Sequence, residues 1–264
     1  PTCSEGITIC FTKPQVSQGY VVMTRRMLED FGISCQCDAH SITVKPGKYS
    51  MPQHYSIEPD MSAAAFFYEA MWLGVPVGIA GVPEPLRTLP ELSNVAMARK
   101  AAEKMLQPDA RFAPILASAW GREEVSLDLS DTPDIVPSLS IALALADIRF
   151  RFNGVGHLRH KECDRISAIE EGLRTLGYTL TDEPDALIWD GSSCPAQPLP
   201  RIVTHADHRM VMAFAIASPQ CGPIVVEDPQ SVDKSFPGFW EVIEKIGYSF
   251  TPFENGMKVE YPNH

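Results

Sequence analysis

Three seven-residue stretches of this chain follow one pattern, and that repetition limits the folds open to it. Leu28-Glu29-Asp30-Phe31-Gly32-Ile33-Ser34, Leu173-Arg174-Thr175-Leu176-Gly177-Tyr178-Thr179 and Ile243-Glu244-Lys245-Ile246-Gly247-Tyr248-Ser249 each read apolar-x-x-apolar-Gly-Ile/Tyr-Ser/Thr. Each is a helix end, its glycine cap and a returning strand. The glycines stand 145 and then 70 residues apart, and a degenerate copy near Ala102–Gln107 is expected at the same step. Related α/β units of roughly seventy residues are too long for a solenoid repeat. Strand pairs between the helices argue against a simple doubly wound sheet. The expected class is α/β (α+β), built from repeated units.

Within that frame Gly6–Phe11 reads as a short strand and Lys13–Gly19 as a polar loop. Tyr20–Phe31 reads as a helix with Met23, Met27, Leu28 and Phe31 on its inner face. Ile33–Cys37 returns as a strand, and Ile42–Val44 with the Pro46-Gly47 turn adds a hairpin arm. Composition shifts around Ile57-Glu58-Pro59-Asp60, which places a boundary between residues 1–56 and 57–264. Asp60 is positioned to cap a helix Met61–Leu73, closed by Gly74. Val75–Ile79 follows as a strand, Pro83–Pro90 as an irregular loop, Asn94–Leu106 as an Ala-rich helix and Val125–Leu129 as a strand. Asp131–Pro137 opens a helix running to Ala146, since Pro133 and Pro137 fit only in or near a first turn. Ile148, Phe150 and Phe152 alternate with Arg149 and Arg151, the period of a half-buried strand. Ile166, Ile169, Leu173 and Leu176 then recur at helical spacing.

Three turns that open helices carry dense charge. His157-Leu158-Arg159-His160-Lys161-Glu162-Cys163-Asp164-Arg165 holds three fixed cations, two carboxylates and two imidazoles in nine residues. Thr204-His205-Ala206-Asp207-His208-Arg209 precedes a helix with Met210, Ala213, Phe214 and Ala217 as its stripe. Ser231-Val232-Asp233-Lys234-Ser235 precedes a helix Phe236–Ile246. Helix N-termini present free N–H groups and a positive dipole end, and guanidinium forks fit carboxylate and phosphate oxygens. Each turn taken alone reads equally as a solvated run of surface ion pairs. Three of them in one acidic chain point to converging anion sites. Asp134 is open to both readings, as a helix-start cap or as a functional carboxylate.

The net charge of −11 over 264 residues disfavours a nucleic-acid or anionic-membrane partner. Any phosphate chemistry must use local cations. The seven cysteines are odd in number and scattered, which argues against a disulfide framework and for a reducing compartment. Cys35-x-Cys37-x-x-His40 alternates as strand residues do and makes a poor metal clip. The most apolar stretch, Phe66–Pro83, is broken by Glu69, Gly74 and Pro76, so no membrane span is expected. No signal peptide is visible; the chain starts at Pro1 rather than Met, and further residues ahead of it are expected.

Leu158–Ile166, with Leu173 and Gly177 after it, resembles the second signature of the enolpyruvylshikimate-phosphate synthase (3-phosphoshikimate 1-carboxyvinyltransferase) family. Asp207-His208-Arg209-Met210, Lys234-Ser235-Phe236-Pro237 and Pro133-Asp134 are similar to further family motifs. Glu58-Pro59-Asp60-Met61-Ser62-Ala63-Ala64 looks like the family's crossover into its second domain, and Val16-Ser17-Gln18-Gly19-Tyr20 like the end of its first. The match runs in the correct order over nearly the whole chain. It implies an inside-out α/β domain of repeated β-α-β units over residues 57–264, with residues 1–56 as the residual last unit of the N-terminal domain. The family's first two units and the second domain's opening strand have no counterpart, so the chain is expected to carry part of an active site, with a missing N-terminal domain as partner.

The resemblance further implies transfer of the carboxyvinyl group of phosphoenolpyruvate to the 5-hydroxyl of shikimate 3-phosphate, releasing phosphate, in the cytoplasm and without metal or redox cofactor. By resemblance Glu162 is the acid/base near the methylene and Asp134 the base for the hydroxyl. Arg165, His208, Arg209 and Lys234 fall on phosphoenolpyruvate. Ser17, Tyr20, Asp134, His157 and Lys161 fall on shikimate 3-phosphate, with His157 standing where the family commonly has Asn. His205 and Asp207 read as structural, since short polar residues cap helices. The Lys161–Arg165 run together with Asp207–Arg209 favours this family over UDP-N-acetylglucosamine enolpyruvyl transferase, which shares the fold. A non-catalytic binding domain is the alternative from another class.

Overall fold

A computed structural model describes residues 1–13 and 15–262; Pro14, in the expected polar loop, and the last two residues lie outside the described residues. The chain opens with β1 (Ile7–Cys10), α1 (Gln18–Asp30), β2 (Cys35–Cys37) and β3 (Ser41–Val44). They form an antiparallel sheet of order β1-β3-β2, with Ile7 opposite Val44 and Cys37 opposite Ile42. A helical stretch follows: α2 (Met61–Trp72), α3 (Val95–Lys104), a 3₁₀ turn over Pro108–Arg111, and α4 (Phe112–Ser118). Next come β4 (Glu124–Asp128), α5 (Val136–Leu145), β5 (Arg149–Asn153), α6 (Arg165–Thr175) and the hairpin β6 (Thr181–Glu183) and β7 (Ala186–Trp189). The chain closes with β8 (Arg201–Ile202), α7 (His208–Ile216), the short α8 (Ser218–Cys221), β9 (Ile224–Glu227), α9 (Phe239–Lys245), β10 (Ser249–Phe253) and β11 (Gly256–Glu260).

The last two stretches are the same unit built twice. One sheet has the order β4-β5-β7-β6 and the other β8-β9-β11-β10. In each, a parallel pair is bridged by a main helix, α5 or α7 (the latter extended by the short α8), a further helix follows the second strand, and an antiparallel hairpin completes the sheet. The repeated heptapeptides fall at the same place in each, where Gly177 and Gly247 take φ of 104° and 107°. Only glycine enters that left-handed region without a Cβ penalty, so each glycine turns the helix end back into the hairpin.

The bridging helices lie inside and the sheets outside. α5 contains no charged residue, and every side chain from Val136 to Ala144 is buried. A helix apolar on all sides must be surrounded, and α5 packs against α2 on one flank and α7 on another. α6 approaches α7 closely: a Cβ on Gly172 would lie 2.2 Å from Phe214 Cζ. Burying each Leu, Ile or Phe of this helical core contributes about 1.5–3 kcal/mol.

Four local expectations differ. Val75–Ile79 keeps strand-like alternation, with Val75 buried and Pro76 and Gly78 exposed. It forms no ladder among the described residues, because no strand lies beside it and Pro76 has no N–H to give. Near Ala102–Gln107 the helix α3 does end, but the chain enters the Pro108–Arg111 turn instead of returning as a strand. The final helix starts at Phe239 rather than Phe236 because Pro237-Gly238 interrupts it. On α1, Met27 is 40% exposed and no residue is fully buried, so the expected inner face is only partly covered.

Candidate active site

Each charged turn follows the C-terminal end of one strand of a parallel pair. β4 leads to Asp134, β5 to the 157–165 run, β8 to Asp207–Arg209 and β9 to Lys234. Four turns emerging at the same ends of two neighbouring sheets converge by topology, the arrangement in which α/β sheets place ligand sites. Two of the helices that follow, α6 and α7, are capped by their own aspartates. Asp164 accepts from Ser167 N at 3.1 Å at the head of α6, and Asp207 from Arg209 N at 2.9 Å at the head of α7.

Arg165 is the hub. Its side chain is 1% exposed, yet it is the first residue of α6 and its guanidinium reaches three carboxylates. Nε donates to Asp207 Oδ2 at 2.7 Å, Nη1 to Asp134 Oδ1 at 3.0 Å, and Nη2 to Glu162 Oε2 at 2.7 Å. Asp207 is fully buried, so the guanidinium and this carboxylate must neutralise each other. Around them, Arg209 Nη2 donates to Asp134 Oδ2 at 3.0 Å, Lys161 Nζ stands 3.9 Å from Asp134 Oδ1, and Lys234 Nζ donates to Glu162 Oε1 at 2.5 Å.

These contacts set the ionisation states. Burial would raise the Asp134 carboxyl, but the charges of Arg209, Arg165 and Lys161 outweigh it and hold it below the usual range. Burial also opposes the charge on Glu162; the Lys234 hydrogen bond and the Arg165 charge overcome it and bring this carboxyl down to about 2. Burial pushes the Cys163 thiol up to about 12, with the Asp207 charge and hydrogen bond adding to it, so it is no thiolate nucleophile. Burial lowers His208, whose Nδ1 sits 3.6 Å from Asp207 Oδ1.

Six of the expected site residues therefore meet: Asp134, Lys161, Glu162, Arg165, Arg209 and Lys234. Tyr20 reaches the same cluster from α1. Its hydroxyl is turned inward, donating to Asp109 Oδ2 at 2.9 Å and lying 3.3 Å from Asp134 Oδ2, rather than outward to an anion. Ser17, one turn earlier, docks through its backbone, donating from N to Ser130 O at 2.9 Å. His157 lies on the 3₁₀ turn Gly156–His160, and burial and the Lys161 charge both lower it. His205 points away, pairing with Glu171 at 3.0 Å on the exposed side of the turn. Asp207 is a cap, as read from the sequence, but it is also the clamp on Arg165.

Asp109 was not anticipated. It is fully buried and accepts from both Tyr20 and Ser62. The signal was present: Pro108-Asp109 repeats the dipeptide Pro133-Asp134, and both open a 3₁₀ turn. Among the described residues, no group of three or more His, Cys, Asp and Glu is placed to hold a metal ion.

Known proteins share this architecture. A structure of EPSP synthase from Acinetobacter baumannii superposes with a TM-score of 0.62 at 22% identity, covering 97% of this chain and 58% of that one. A 3-phosphoshikimate 1-carboxyvinyltransferase of Bacteroides fragilis is 31% identical over 258 residues, covering 94% of this chain and 61% of the relative. One from Syntrophobacter fumaroxidans is 33% identical over 266 residues, covering 92% and 57% respectively. The chain thus spans about three fifths of the length of these curated relatives. The family model for EPSP synthase (3-phosphoshikimate 1-carboxyvinyltransferase) matches residues 1–243, a span that takes in all four converging turns, and by that match the chain belongs to the EPSP synthase family.

Proposed function

We propose that this chain supplies the C-terminal wall of a site that moves the carboxyvinyl group of phosphoenolpyruvate to the 5-hydroxyl of shikimate 3-phosphate, with release of phosphate. The observation that carries the reading is the convergence of Asp134, Lys161, Glu162, Arg165, Arg209 and Lys234 from four separate turns. The reaction needs two phosphates and a carboxylate held together against their repulsion, a proton given to the enol methylene and another taken from the hydroxyl. Arg209, Lys234 and Lys161 reach the cluster's outer side and are the cations free to exchange a carboxylate partner for a substrate oxygen. Asp134, held ionised, suits the base. Glu162 is ionised while Lys234 bonds it; an anion that draws Lys234 away leaves burial to raise its proton affinity, as an acid requires. Arg165 orients all three carboxylates, His208 backs the cluster, and Ser17, Tyr20 and His157 line the shikimate 3-phosphate side.

In this reading residues 1–56 are the last unit of a first domain and residues 57–264 the second. The remaining first-domain units supply the opposite wall of the cleft. The setting is cytoplasmic; no helix among the described residues is long and apolar enough to cross a membrane. Calorimetry of the chain with each substrate separately tests the assignment. Phosphoenolpyruvate is expected to bind with a Kd on the order of 1 mM or above, weakened by added salt. Arg209→Lys keeps charge but loses the fork, so it should weaken phosphoenolpyruvate and leave shikimate 3-phosphate nearly unchanged. Equal loss for both ligands, or no binding of either, overturns the reading.

A further inference from the structure

The Tyr20 hydroxyl carries one proton and lies within hydrogen-bond reach of two carboxylates, at 3.0 and 2.9 Å from Asp109 Oδ1 and Oδ2 and 3.3 Å from Asp134 Oδ2. A phenol donates once. If both carboxylates are ionised, one of those contacts sets lone pairs against each other; a further proton on the chain removes the conflict. Unlike Asp164 and Asp207, Asp109 makes no cap bond, and unlike Asp134 it accepts from no guanidinium. Its turn starts without a side-chain cap bond, and the bonds it accepts come from the hydroxyls of Tyr20 and Ser62. A fully buried carboxyl held only by hydroxyls, one hydroxyl behind Asp134, is placed to receive a proton.

We propose that Asp109 is a positioning residue for Asp134, the inner acceptor of a proton relay that runs from Asp134 through the Tyr20 hydroxyl. The inference rests on the proposed role of Asp134 as the base. When the substrate O–H bond breaks, its proton forms a new O–H bond on Asp134 Oδ2. That proton passes to the Tyr20 oxygen as the phenol's own proton passes to an Asp109 oxygen. The sum is one alkoxide at the substrate and one neutral carboxyl at Asp109, with Asp134 ionised again and Tyr20 unchanged. No other reactant is needed.

The surroundings set the direction of transfer. The titratable and charged groups acting on Asp109 are Tyr20 from α1, Asp134 from the turn ahead of α5 and Arg209 from α7. Burial raises Asp109, and the Asp134 charge adds to it against the Ser62 and Tyr20 hydrogen bonds and the Arg209 charge. Three cations hold Asp134 down, so the two carboxyls are pushed apart and the proton settles on the inner one. Burial and the neighbouring carboxylates keep the Tyr20 phenol neutral throughout. Because Tyr20 belongs to α1 while Asp109 and Asp134 lie beyond residue 100, the relay exists only where α1 is docked. Gly19 permits that docking: a Cβ there would meet Pro108 Cβ at 2.7 Å and Asp131 O at 3.2 Å.

The test is a carbon-13 NMR titration of the aspartate carboxyls in the full chain, with the Asp109 signal identified by its loss in Asp109→Asn. The relay requires Asp109 to titrate above the usual aspartate range, to move further up in Tyr20→Phe and to move down in Asp134→Asn. An ordinary midpoint, or one indifferent to both neighbours, overturns the proposal. The second measurement is the pH profile of kcat for phosphate release, with the chain completed by the N-terminal part of the Bacteroides fragilis relative. Asp109→Asn should lower kcat by at least about 10-fold with KM nearly constant and remove one acid limb, and Asp109→Glu should restore part of both. Unchanged kcat and profile in Asp109→Asn overturns the relay. Absence of turnover with unmodified Asp109 counts against the proposed function alone, because the NMR titration reads the relay without substrate.

Discussion

Replacing Arg165 by Met separates the structural charge of this site from its substrate-binding charge. The side chain is 1% exposed, and three carboxylates lean on it at 2.7–3.0 Å. The loss does not divide equally among them. Glu162 keeps Lys234 at 2.5 Å and is partly open to water, and Asp134 keeps Arg209 at 3.0 Å. Asp207, fully buried, keeps the Arg209 backbone N–H and two longer contacts at 3.6 Å, to the Cys163 thiol and to His208 Nδ1, but no fixed cation. Removing one partner of a buried ion pair costs about 3–5 kcal/mol, because the other charge is left unpaired out of water. For a chain of this size each kcal/mol lowers Tm by roughly 2–4 °C, so Arg165→Met should melt about 6–20 °C below the parent. Urea unfolding followed by circular dichroism gives the free energy directly. Arg165→Met/Asp207→Asn should recover more than half the loss, since no charge is then buried alone. Arg165→Lys should fall between parent and Met, keeping charge without the three-way fork. A single mutant within about 1 kcal/mol of the parent, or a double mutant no better than the single, would refute the account of Arg165 as the structural hub.

Two further outcomes follow from the same geometry. The folded-state Glu162 carboxyl, at about 2, lies below its unfolded value of about 4.3, so its contribution to stability is present above that value and disappears as pH falls towards 2; the Tm gap between parent and Glu162→Gln should be widest near neutrality and close on acidification, and a gap independent of pH would contradict the Lys234–Glu162 pairing. Gly172→Ala places a Cβ 2.2 Å from Phe214 Cζ and should cost about 1–3 kcal/mol by overpacking, read from the urea midpoint, with Phe214→Leu partly restoring it; a neutral Gly172→Ala would mean that α6 and α7 are less tightly packed than the structure has them.

Much of the fold was legible because it is local and repeated. Asp60 and Asp207 cap helices where short polar residues at those positions imply caps, and Gly32, Gly177 and Gly247 turn helix ends as the heptapeptide pattern requires. Where the reading went wrong, neighbours far away in sequence decide the outcome. Val75–Ile79 has strand composition and alternation, but a strand is a relation between two segments, and among the described residues this one meets only a loop, Ile79 N donating to Arg87 O at 2.8 Å. The copy near Ala102–Gln107 has the apolar spacing of a helix end without the glycine, and without a residue free to take a positive φ the chain winds into a 3₁₀ turn instead.

The site shows the same division at the level of charge. The sequence locates Lys161, Glu162, Arg165, Arg209 and Lys234 on helix-opening turns, because density of charge ahead of an apolar stripe is a local property. What each charge faces is not local. Lys234 finds Glu162 across 72 positions, Arg209 finds Asp134 across 75 and Tyr20 finds Asp109 across 89. Four cations, Lys161, Arg165, Arg209 and Lys234, meet three carboxylates, Asp134, Glu162 and Asp207, so most anion-binding capacity is already committed to the protein's own acids. In the proposed function, a substrate anion therefore exchanges with these carboxylates rather than filling an unpaired cationic pocket. Such an exchange would couple binding to proton affinity, because the Lys234 that would move to a phosphate oxygen is the cation that keeps Glu162 from holding a proton. Residue types in a nine-residue run show where charge is dense, but the proton affinity of Glu162 within it is set by Lys234, 72 positions on.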